Sequence, residues 1–354
     1  MTKGLVPAFI VAIFLATLAG CATELTVDDG RKLDSRLVAE MQAYGEAAVA
    51  VRPATVRSAA MADSGCDNQY ELPFDVMTSY GVDDADTRVA WARALGIDEN
   101  LTVIAADRSS GLRAGDVIAR VDGYESGNKL KMAQKLTAAR DRGDPFALQL
   151  ASGEQVTISP VRVCRGHVLI APPLEPGLQR YHWTESVHLL EVFHLPLTPD
   201  EAEWIVLWTQ GLSERGGARM KTYAFTVGAA KWLAVLGLGF AASSATASAR
   251  GAAAAGGSSA TGQVATAQLA GQAASLMAQS AANRASLSGV SSVAAGVFDR
   301  ADLWAFDNMR RLGMNPRAGL SLHEKLVAQG AAANAFLLDE KRLAHMRALV
   351  AGLP

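Results

Sequence analysis

The chain has 354 residues, with 33 Lys and Arg against 35 Asp and Glu, a formal net charge of −2. That length suits two domains, and without a basic surplus a nucleic-acid partner is excluded. Half of the residues are apolar and only 6% aromatic, with six His and three Cys, so the composition is helix-rich and rules out both disorder and a disulfide-dense or multi-zinc scaffold.

The N-terminus reads as an address. Lys3 gives a positive start, and Leu5 to Leu18 is almost entirely apolar. That run is too short to span a bilayer and has the build of a secretory signal over residues 1–20. Its end, Leu18-Ala19-Gly20-Cys21, resembles a bacterial lipobox. The resemblance implies cleavage before Cys21, acylation of its thiol and a membrane attachment through lipid. Ala22, rather than Asp, follows the Cys, which by the same resemblance implies the periplasmic face of the outer membrane. Residues 21–74 are expected to be a tether with one or two short helices.

Export would carry Cys66 and Cys164 into an oxidising compartment. A disulfide between them would close a loop of roughly 100 residues and stabilise by about 4–5 kcal/mol in the chain-entropy model. Two buried free thiols are the alternative. Neither Cys lies in a nucleophile motif.

From about Asp75 the texture becomes that of a small β-rich module. Helices are expected at Arg88–Leu95 and Lys129–Arg142. Strands are expected at Leu101–Ala105, Phe146–Ala151 and Gln155–Pro160, the last two joined by a Ser152-Gly153 turn. Between them runs Ser110-Gly111-Leu112-Arg113-Ala114-Gly115-Asp116-Val117-Ile118, followed by Val121-Asp122-Gly123. This stretch resembles the core of bacterial protease-associated PDZ domains over residues 75–163. Gly115 and Gly123 fit turn positions with positive φ. By resemblance the module takes an extended polypeptide by strand addition, with Leu112, Gly115, Asp116, Val117 and Ile118 shaping the groove. A groove that serves only as a spacer is the alternative.

Residues 164–350 are expected to form a second, mainly helical domain. Thr198-Pro199-Asp200-Glu201 is a capping box with Pro at the first helical position. Ile205, Trp208, Thr209 and Leu212 then follow at helical spacing. A second helix is expected from Val297 to Leu312, with Phe298, Ala301, Ala305 and Met309 inward. Asp302 interrupts that stripe, which is costly for an isolated carboxylate. A third helix starts at Leu320.

The order of Leu197–Glu201, Asp299–Asp302, Arg310–Pro316 and Asp339–Ala344 resembles the HtpX and CAAX-prenyl-protease type of gluzincin metallopeptidases. In that family two His and a Glu of HExxH, and the Glu of ExxxD, build a zinc site. The matching positions here are Trp208, Thr209, Leu212 and Phe298, and only Asp302 is kept. The resemblance therefore implies a metallopeptidase-like domain without its zinc ligands. His188, Glu191 and His194 form an HxxExxH alternative for a metal; buried or surface histidines are the plainer reading. Residues 218–297 form an Ala/Gly/Ser-rich insert, read either as a lid or as a solvated insertion.

The expected fold class is thus α+β, a PDZ-like module followed by a degenerate metallopeptidase-like domain. The expected function is a non-catalytic envelope lipoprotein that binds polypeptide or a partner protein and needs no cofactor. An active zinc metalloendopeptidase of periplasmic quality control with displaced ligands, and a purely structural lipoprotein, are the alternatives.

Overall fold

The computed structural model describes residues 25–62, 65–173, 180–181, 184–188, 190–216, 291–330 and 340–352. Cys21 and most of the expected insert lie outside the described residues. Among the described residues, no helix is long and apolar enough to cross a membrane.

The fold is mixed α+β. Helix α1 (Ser35–Arg57) runs for 23 residues, with Asp34 at its N-cap accepting from the Arg36 N–H. This corrects the expectation of a tether with short helices over 21–74. Small residues explain the difference, because they bury a helix without an obvious apolar stripe. Ala47, Val51 and Ala54 enter the helical-domain core. Met41 and Ala48, on another side of the same helix, enter the core beneath α2 (Ala85–Leu95). Tyr44 meets Trp91 of α2 edge-on at 5.6 Å between ring centres. Helix α1 therefore joins the two halves of the molecule.

A short strand β1 (Asn68–Glu71) leads into β2 (Phe74–Met77). After α2 come β3 (Leu101–Ala106), β4 (Val117–Val121), α3 (Lys129–Arg142), β5 (Phe146–Leu150) and β6 (Gln155–Ile158). These make a five-stranded sheet in the order β2-β3-β4-β5-β6, antiparallel throughout. Helix α3 begins and ends where the sequence places it. Asn128 accepts from the Lys131 N–H, and Gly143 closes the helix at φ 77°. Met132, Leu136 and Ala139 of α3 pack on Phe74, Leu101, Ile118 and Leu148 of the sheet.

Strand β7 (Val161–Cys164) returns to pair with β1, outside the five-stranded sheet. The module thus closes with a strand that starts ahead of residue 75, wider than the 75–163 expected. Cys66 and Cys164 form a disulfide there, with Cα atoms 5.6 Å apart. A three-stranded sheet follows, of β8 (His167–Ile170), β9 (Arg180–Tyr181) and β10 (Glu185–His188), in the order β8-β10-β9.

The helical half consists of α4 (199–216), α5 (Ser291–Arg311), α6 (Ala318–Ala328) and α7 (Glu340–Ala351). Helix α5 starts six residues before the expected Val297, within the range assigned to the insert.

Candidate functional site

Helix α4 is the centre of the second half. Its capping box closes reciprocally: the Thr198 hydroxyl accepts from the Glu201 N–H at 3.2 Å, and the Glu201 carboxylate accepts from the Thr198 N–H at 2.9 Å. Trp204 to Leu212 is buried without interruption. Two glycines allow this. A Cβ on Gly211 would stand 3.0 Å from the Ala301 Cα, so α5 rests directly on α4. A Cβ on Gly166 would stand 2.9 Å from the Thr209 carbonyl, so the entry to β8 does the same from the other side.

The residues expected at the vestigial zinc positions come together in this core. Trp208 and Phe298 face each other at 5.3 Å between ring centres, and Tyr181 meets each edge-on at 5.4 Å. Trp204 stacks on Trp208 at 6.1 Å. Leu212 is fully buried in the same cluster. The Thr209 hydroxyl donates to the Ile205 carbonyl at 2.9 Å and lies 2.9 Å from Nε2 of His188. Because the hydroxyl proton is committed to Ile205, that imidazole nitrogen donates. Burial holds the His188 pKa down at about 3, so the ring is neutral.

Asp302 has a partner that the sequence pattern did not identify. Arg342 of α7 donates to both carboxylate oxygens, at 2.7 and 3.0 Å. The side chains of the pair are 4% and 0% exposed. The guanidinium carbon lies 5.1 Å from the Trp208 ring centre and 5.4 Å from that of Phe298. His323 of α6 stands edge-on to Trp204 at 5.0 Å, with Nδ1 donating to the Gly319 carbonyl at 2.7 Å. Burial and the nearby Arg342 charge lower its pKa to about 4. The signal for Arg342 was present in the sequence as the unexplained Asp302 on an apolar stripe, which demands a cation from some other element.

Zinc chemistry requires imidazole, thiolate or carboxylate donors. An indole, an isobutyl group and a phenyl ring at 208, 212 and 298 supply none, and the Thr209 hydroxyl is already engaged by His188 and Ile205. The residues present do not fit the ion. The alternative set does not converge either. His188 points into the core, while Glu191 and His194 are exposed and line a surface cavity of about 520 Å³ beside Arg36 and Glu40. Among the described residues, no three His, Cys, Asp or Glu side chains are placed to hold a metal ion.

A second candidate site lies in the five-stranded sheet. The turn at Gly111–Asp116 is built as the sequence suggests, with Gly115 at φ 93° and its N–H donating to the Val103 carbonyl at 2.8 Å. The Asp116 carboxylate accepts from the Arg113 N–H at 2.7 Å and closes the turn. Leu112 and Ile118 are core residues, 6% and 0% exposed. Val117 and Ile118 begin β4, the middle strand, which pairs with β3 on one side and β5 on the other. Both edges of β4 are used, so Val117 and Ile118 do not themselves pair with an added strand. Among the described residues β2 pairs with β3 alone, and Arg52 of α1 lies against this end strand, bonding the Asp75 carboxylate and the Leu72 carbonyl. Leu130 in the first turn of α3 is 50% exposed and reaches to within 4.0 Å of the Cβ position of Gly81, just beyond β2.

No protein-family model, curated protein or solved structure matches this chain.

Proposed function

We propose that the chain is a lipid-anchored envelope protein with a PDZ-like module and a metallopeptidase-like domain that has given up catalysis. It binds extended polypeptide or a partner protein, in the manner of an adaptor or chaperone, on the periplasmic face of the outer membrane. The observation that carries the reading is the aromatic core at 208 and 298. The positions that the resemblance assigns to zinc are packed rings beside a buried Arg342–Asp302 pair. Such packing stabilises a core, and an indole, an isobutyl group and a phenyl ring bring no lone pair to a metal. What remains for function is surface. Among the described residues β2 ends its sheet with β3 as its one strand partner, and an end strand is the usual requirement for strand addition. Leu130 supplies an apolar wall beside it.

The test uses the soluble chain from Ala22 and a fluorescent, permanently unfolded polypeptide. Binding without cleavage is expected, and Leu130→Ser should weaken binding about tenfold without altering the melting temperature. Proteolysis that a chelator abolishes would contradict the reading. Binding unaffected by Leu130→Ser would move the site away from β2.

A further inference from the structure

Residues 25–34 have no secondary structure, yet they are strapped to the body. The Thr26 N–H donates to the Glu99 carboxylate at 2.6 Å, and its hydroxyl donates to the other oxygen of the same group. Arg93 of α2 clasps Asp28 with two bonds of 2.7 and 2.8 Å and donates to the Arg31 carbonyl at 2.9 Å. Arg31 bonds Asp29 and reaches Asp86 of α2 at 3.1 Å. Leu33 packs on the core between α1 and α2, and Asp34 caps α1. The chain is therefore fixed from Thr26 onward.

Extended backbone alternates its faces. Thr26 and Asp28 turn to the body, and Leu25 and Val27 turn away, 49% and 73% exposed. Leu25 and Val27 thus place two apolar side chains together on the outward face of a firmly bonded strap.

We propose that this strap is a membrane-contact surface: Leu25 and Val27 enter the interfacial layer of a phospholipid bilayer, and the body rides directly on the lipid. The inference rests on acylation of Cys21, as proposed above. From Cys21 to Thr26 is five residue steps, a reach of about 18 Å at full extension. An acylated Cys21 thus cannot hold the strap far from its membrane. Asp28 is paired with Arg93, and Asp29 and Asp86 share Arg31, so one net negative charge remains beside the two apolar residues and the contact rests on their apolar surface and on the anchor. The reading also explains why the strap is bonded so closely: a loose linker would let the body drift, and this one transmits the position of the anchor to α2.

The experiment uses the full lipidated chain in phosphatidylethanolamine and phosphatidylglycerol vesicles. The disulfide and the acyl group protect the native cysteines, so a single introduced thiol takes a fluorophore. Asp29→Cys reports on the strap. Ser152→Cys, on the β5–β6 turn at the far edge of the sheet, is the reference. With a quencher on the lipid headgroups, the label at 29 is expected to be quenched at least fivefold more than that at 152. Ten Gly/Ser residues inserted between Thr23 and Glu24, together with Leu25→Ser and Val27→Ser, should abolish the difference while the protein still floats with the vesicles. Equal quenching at both sites, on protein that floats and carries the diacylglyceryl mass on Cys21, would overturn the membrane-contact proposal and leave the lipid anchor standing. Protein with an unmodified Cys21 that does not float would overturn both.

Discussion

Arg342 and Asp302, forty residues apart in sequence, form a buried bidentate ion pair with a closest contact of 2.7 Å, and the guanidinium lies against the rings of Trp208 and Phe298. The pair ties α7 to α5 and sets both against α4. Breaking a buried pair by removing one partner strands a charge and costs about 3–5 kcal/mol. Arg342→Met should therefore destabilise the chain by that amount in denaturant unfolding. Removing both charges with Asp302→Leu and Arg342→Met should recover most of the loss, since apolar replacement of a buried pair is often neutral.

The pH dependence of stability should carry the mark of Glu203. It is fully buried, with one oxygen 3.0 Å from Nε of Arg57. Burial pushes its carboxyl from the ordinary 4.5 up to about 7, against the pull of Arg57. A folded pKa above the unfolded one means a stabilising contribution that is complete below pH 4.5 and lost as pH rises through 7. His188 and His323 act in the opposite sense, since their folded values of about 3 and 4 lie below the ordinary 6.5. Their contribution is complete above pH 6.5 and lost as pH falls. Stability should accordingly peak near pH 6–7. Glu203→Gln should remove the decline on the alkaline side, a gain of roughly 1–3 kcal/mol at pH 8 relative to the parent.

The disulfide between Cys66 and Cys164 joins the start of β1 to the end of β7 across a sequence separation of 98 residues. Replacing both cysteines by Ala should lower stability by about 2–5 kcal/mol. The check is unfolding of the variant beside the parent, with and without reductant. Only the parent should respond to reduction.

Gly166 adopts φ 140° with the α4 backbone less than a Cβ contact away. Gly166→Ala should cost about 1–3 kcal/mol through strain and overpacking. Gly153, at φ 90° with open space around it, isolates the strain alone. Gly153→Ala should cost less, and comparison of the two melting temperatures checks the close approach of β8 to α4.

Local chemistry made much of this fold legible in the sequence. Asn128 and Gly143 bracket α3, and Thr198 with Glu201 opens α4, because caps and capping boxes act within a few residues. The positive φ at Gly115 and Gly123 follows from turn sterics in the same way. Non-local features were less accessible. Nothing within 35–57 announces a long buried helix, since Gly45 and Pro53 interrupt the pattern and alanines make many of its contacts beside Met41, Tyr44 and Val51. The position of β4 in the middle of its sheet depends on pairing with β3 and β5, so the edge role passed to β2. Asp302 signalled a missing cation, but its partner lies on a different helix. Residues 218–290 of the insert expected over 218–297, and Cys21, where an anchor is expected, lie outside the described residues.

The proposed loss of catalysis rests on a buried core at Trp208, Leu212 and Phe298 whose side chains offer a metal ion no donor. Elemental analysis of the purified chain beginning at Ala22, after dialysis against a zinc-containing buffer and then a metal-free one, tests it most directly. A zinc content near zero per chain, unchanged by His188→Ala or His194→Ala, is the expected result. One tightly held zinc per chain, lost in either variant, would contradict it.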